Sequence, residues 1–143
     1  MNLFHLLGLP LKSDEIVEVL EYYDVAVIYD FDRLNENSPD AYWASSMSAG
    51  FELRFNEHQT LSTIFLYALS RHNFKAIEPS MAGVPFYQGF AEAQASFEAG
   101  GIPFRTSSEG QSWIKGHFGD HQVHYEFNKE GALALVTIMA ANA

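Results

Sequence analysis

Between His121 and Phe127 every second residue is apolar, with Val123, Tyr125 and Phe127 alternating with Gln122, His124 and Glu126. A period of two belongs to a strand that buries one face and wets the other. Residues 113–118 precede Gly119-Asp120, a turn in which Gly supplies the positive φ that tight hairpins require, so 113–118 and 121–127 are predicted to pair. That pairing puts Ile114, Phe118, Val123, Tyr125 and Phe127 on one face. Trp113, Lys115, His117, Gln122, His124 and Glu126 share the other. Asn128-Lys129-Glu130-Gly131 suits a further turn, after which the aliphatic run 132–139 returns as a third strand.

Elsewhere the period lengthens to that of a helix. Ile16, Leu20 and Tyr23 fall at i, i+4 and i+7, with Ser13 placed to cap and Asp14 and Glu15 in the first turn, where negative charge complements the helix dipole. A helix over 13–23 is predicted. Phe90, Ala93 and Phe97 give the same stripe, and Gly100-Gly101 followed by Pro103 supplies a stop, so a second helix is expected over 89–99.

A shift of 72 residues lays 51–56 on 123–128 and 61–66 on 133–138 without a gap. Phe55, Asn56 and Leu61 fall on Phe127, Asn128 and Leu133. The landmarks recur in order: Gly8-Leu9-Pro10 and Gly83-Val84-Pro85 open the halves, a helical stretch follows, and Trp43 and Trp113 precede the paired strands. The first half then has strands over 41–48, 51–56 and 60–68, plus an apolar run, 25–29, that suits an added edge strand. The expected fold is α+β: one domain of two tandem α-β-β-β repeats, about 1–75 and 76–143, with antiparallel sheets and the helices packed on one face.

Composition narrows the function classes. With 48% hydrophobic and 15% aromatic residues, the 143-residue chain can bury a substantial core. It has no cysteine, which removes disulfides, thiolate metal sites and cysteine nucleophiles and favours a reducing, cytoplasmic setting. The N-terminus reaches Pro10 before an apolar stretch attains signal length, and no run is long enough for a membrane span. The formal net charge is −10. Nucleic acid and anionic membranes are therefore disfavoured as partners, since phosphate binding needs a basic footprint. Between Asp14 and Asp40 nine acids face one base, Arg33, a local balance of −8 that suits a basic protein partner as well as solubility.

Candidate chemistry is sparse. In the predicted hairpin His121 lies on the face opposite His117 and His124, so the three histidines do not converge, and Lys115 beside His124 opposes a cation; no metal site is expected. Asp30-Phe31-Asp32 would place two carboxylates on one strand face, without a partnering His, Lys or Gly-rich loop. The serine-elbow, phosphate-loop, zinc-helix and dinucleotide fingerprints are absent. The expectation is a protein without catalytic residues or cofactor. Trp113 with His117, His124 and Glu126 combines an aromatic anchor with varied polar groups, a mix typical of protein interfaces. The expected partner-binding residues are these four with Asp30, Asp32, Glu36 and Trp43.

Gly-x-Pro, a short helix, an aromatic-led hairpin and a closing strand, given twice, resemble the tandem helix-plus-sheet repeat of the β-lactamase-inhibitor-like group and of small bacterial toxin-immunity proteins. The resemblance covers nearly the whole chain and rests on this order of elements. It departs in the absence of cysteine, where secreted members of the inhibitor group use disulfides, and in three main strands per half rather than four. What it implies is a plug that presents a sheet face or acidic edge to a partner enzyme: an immunity-type inhibitor of a cognate bacterial toxin, such as a basic nuclease. Two other readings stand beside it, a small-ligand-binding protein or enzyme with a pocket between the repeats, and a homo-oligomeric scaffold, or homodimer, joined by sheet edges.

Overall fold

The structure is a computed structural model that describes residues 2–31 and 39–141. Its elements in chain order are α1 (Asp14–Tyr22), β1 (Val27–Asp30), β2 (Ala41–Ser46), β3 (Phe51–Phe55), β4 (Leu61–Tyr67), α2 (Phe90–Gly100), β5 (Phe104–Thr106), β6 (Trp113–His117), β7 (His121–Phe127) and β8 (Leu133–Ala140). The eight strands form one antiparallel sheet in the order β1-β2-β3-β4-β8-β7-β6-β5. Two expectations are corrected here. Each half contributes four strands rather than three, and the two sets merge into a single sheet. The apolar run 25–29 is indeed an edge strand, β1. Its counterpart β5 has three residues, too few to show alternation, and is held by pairing with β6.

The repeat is visible in hydrogen bonds. Asn56 Oδ1 accepts from the backbone N–H of His58 and Thr60 at 2.9 and 3.1 Å, and Asn128 Oδ1 accepts from those of Glu130 and Ala132 at 3.0 and 2.9 Å. An Asn side chain that captures two amides in this way fixes a turn without help from other elements. The register slips once beside each turn, at Arg54/Phe55 and at Glu126/Phe127. Gly131 takes φ +83° in the second turn, whereas Gln59 is held at φ +61° in the first, a conformation disfavoured for a residue with a Cβ.

The halves join through β4 and β8. Their ladder is centred on Phe65 opposite Thr137, which are themselves 72 residues apart, so each half meets its counterpart about an approximate two-fold axis. The junction within the sheet is a continuous strand ladder, and on the helix side a cleft lies between the halves, where Phe4, His5 and Leu7 meet Asp120, His121 and Ala140.

Both helices cover the same face. Phe51, Leu66, Val136, Tyr125 and Ile114 form one rung on that side, and Leu53, Ile64, Ile138 and Val123 form the next; all are buried. From above, α1 inserts Ile16 and Val19, with Leu20 and Tyr23 half-buried, and α2 inserts Phe90, Ala93 and Phe97. The Phe97 ring sits on Gly116, where a Cβ would come within 2.9 Å of it. Each such side chain contributes about 1.5–3 kcal/mol by leaving water. Ser13 precedes α1 as expected, yet its hydroxyl donates to Pro10 O at 2.7 Å rather than to the helix N-terminus. Gly101, in the left-handed conformation, ends α2.

Candidate partner-binding face

The sheet face turned away from the helices carries the two tryptophans. One rung runs Ile28, Trp43, Arg54, Thr63, Met139, Gln122, His117. The next runs Ser45, Glu52, Phe65, Thr137, His124, Lys115, Arg105, and a shorter one Tyr67, Leu135, Glu126, Trp113. The β6–β7 register is the one the Gly119-Asp120 turn predicts, so Trp113, His117, His124 and Glu126 share this face, while His121 lies on the other side against Phe118 and Phe4.

Two aromatic pairs structure the face. Trp43 stacks on Phe65 with centroids 5.9 Å apart, and the Arg54 guanidinium lies 5.8 Å above the Trp43 ring. Trp113 stacks on His124 at 5.2 Å. Trp43 pairs with Arg54 and Trp113 with Glu126, and Arg54 and Glu126 are equivalent under the 72-residue shift. The two tryptophans are therefore structural equivalents although they are 70 residues apart; the second hairpin is longer by two residues.

Electrostatics differ across the face. Burial, opposed by Glu126 and reinforced by Lys115, lowers the pKa of His124, which keeps its imidazole neutral near pH 7. The buried Nε2 of His117 has no hydrogen-bond partner among the described residues. Arg71 reaches Glu126 at 3.2 Å and Phe74 stacks on Tyr67 at 4.1 Å, so the segment after β4 folds over one end of the face. Among the described residues Arg54, Lys115 and Arg105 have no carboxylate within ion-pair distance.

Asp30 is exposed at the end of β1 and shares the face of Trp43, whereas Asp32 and Glu36 lie outside the described residues. Asp14, Glu15, Glu18 and Glu21 are exposed on α1, in the layer opposite the tryptophans. At the same end of β1 as Asp30, the Tyr29 hydroxyl donates to Asp40 at 2.6 Å, and that bond pushes its pKa up to about 12. Sequence reasoning missed Arg54, Phe65 and Arg105, though the 72-residue shift places Arg54 opposite Trp43 once Glu126 is set opposite Trp113. Among the described residues no three metal-ligating side chains converge, and no helix is long and apolar enough to cross a membrane.

No protein-family model, curated protein or solved structure matches the chain.

Proposed function

We propose that this chain is a non-catalytic binding protein, an immunity-type inhibitor that occupies a cognate bacterial toxin in the cytoplasm. The observation that supports this reading most directly is the asymmetry of the two layers. Both helices lie on one side of the sheet, and the other side keeps two equivalent tryptophans half-exposed among charged groups. Packing within the chain does not require large aromatics there, whereas a protein partner uses them as anchors. A second support is the arrangement itself: two helix-then-four-strand units merged in one sheet remove the strand-count difference from the inhibitor-like group. The net charge of −10 suits a basic partner, such as a nuclease, because complementary fields raise association rates and reject wrong partners.

The test is capture of the product of the neighbouring gene by the purified chain, followed by an activity assay on the complex. Stoichiometric loss of the partner's activity is expected. Capture that leaves activity intact, or self-association alone, overturns the reading.

A further inference from the structure

The two edges of the sheet are built differently. β5 is short, follows Pro103 and carries Arg105, the devices that keep an edge from pairing with another chain. β1, of four residues, has neither the Pro nor the Arg, and its one charge is at its last residue, Asp30. All four of its residues are exposed, Val27 at 38%, Ile28 at 67% and Tyr29 at 46%, and Phe31 just beyond it is 46% exposed. Between Val25 and Phe31 there is no Lys, Arg, Pro or Gly, and the only charge is Asp30. Among the described residues β1 pairs with β2 alone, so the alternate N–H and C=O groups on its outer side have no described strand to bond.

We propose that β1 is a strand-addition site that takes an extended segment of the partner protein, apolar at its centre and flanked by Lys or Arg. Backbone bonds along such an edge give affinity, and alternate side chains give selectivity. Here Val27 and Tyr29 would meet the segment on the helix side and Ile28 on the open side. Charge decides the occupant. Asp24 precedes the strand and Asp30 stands at its end, so a cationic segment is attracted at both ends. A second copy would instead set these same carboxylates against each other, with −10 on each chain. The inference rests on the reading of this chain as a binder of a basic protein, and it names where that protein docks.

The probe is a short synthetic peptide of alternating Val and Thr flanked by Lys, compared with the same peptide flanked by Glu. Amide hydrogen exchange and NMR shifts are read on the full chain. The Lys-flanked peptide is expected to protect amides of Val27–Asp30 and to bind about tenfold more tightly at low salt than the Glu-flanked one. Ile28→Lys, at a highly exposed site, should abolish that protection while the melting temperature holds. No protection on β1, equal protection by both peptides, or concentration-dependent protection without peptide, which marks a second copy, overturns the proposal. Toxin inhibition separates the two levels: an I28K chain that still inhibits at wild-type strength sinks the strand-addition site and leaves the immunity reading standing. A wild-type chain that protects β1 against the peptide yet inhibits no toxin sinks the immunity reading alone.

Discussion

On the helix side the two halves replace like with like, and on the open side they do not. Phe51, Leu53, Phe55, Ile64 and Leu66 stand where Val123, Tyr125, Phe127, Val136 and Ile138 stand in the second half, all buried. On the open face Arg54 answers to Glu126, Glu52 to His124 and Phe65 to Thr137. The first set is dictated by close packing, which tolerates only apolar exchange. Nothing in the shared frame dictates the second. The duplicated frame thus carries one face with two different chemistries, and the tryptophans are what the halves still have in common there.

The largest effect should come from the shared part. Phe55→Ala and Phe127→Ala each remove a fully enclosed ring at an equivalent place and are expected to cost about 3–5 kcal/mol apiece in urea unfolding. If one is tolerated and the other unfolds the chain, the halves are not equivalent in energy, whatever their geometry. Below that come the tryptophans. Trp113→Ala should speed dissociation of the partner at a cost of about 2 kcal/mol, and Trp43→Ala tests whether its equivalent is an anchor too. A variant that melts early yet binds normally once refolded would reassign its tryptophan to packing. A smaller and opposite pair is offered by the turns: Gln59→Gly should stabilise by about 1 kcal/mol by relieving the positive φ, and Gly131→Gln should destabilise by a similar amount.

Much of this frame can be read in the amino-acid order. The β6–β7 hairpin, the stop after α2 and the equivalence of Asn56 and Asn128 all follow from local chemistry: a Gly in a tight turn, a left-handed Gly, an Asn that holds two amides. What escaped has non-local causes. β5 exists because β6 offers it a ladder, and the union of the halves in one sheet depends on β4 meeting β8 far along the chain. The candidate face was half legible. Alternation assigned Trp113, His117, His124 and Glu126 to one side, whereas closeness in sequence does not tell that the acids of α1 lie in the other layer from β1.

His124 sharpens the comparison by pH. Its folded-state pKa lies below the 6.5 of the unfolded group, so the unfolded chain takes up the proton first. The associated stability is full above pH 6.5, declines as pH falls below it and levels off beneath the folded pKa. NMR titration should give His124 a midpoint under 6.5, and His124→Gln should flatten the stability profile in that window. An unchanged profile would mean that its burial is relieved by local opening.

The smallest effect tests charge across the open face. Asp30 and Arg105 project from the same side of the sheet at opposite edges, one on β1 and one on β5. A basic partner should be drawn toward the first and repelled by the second. Asp30→Asn is therefore expected to slow association about two- to threefold at low salt without changing dissociation, because a rim charge acts on encounter rather than on the docked complex. Arg105→Gln should leave the rate unchanged or raise it slightly. Both differences should fade as added salt brings the screening length down toward a few ångströms. Opposite signs would place encounter at the β1 edge, where the unprotected strand lies. If both variants associate at the wild-type rate, the field of the remaining acids, including those on α1 behind the sheet, is strong enough that no single edge directs the approach, and the acids serve mainly as a solvated surface.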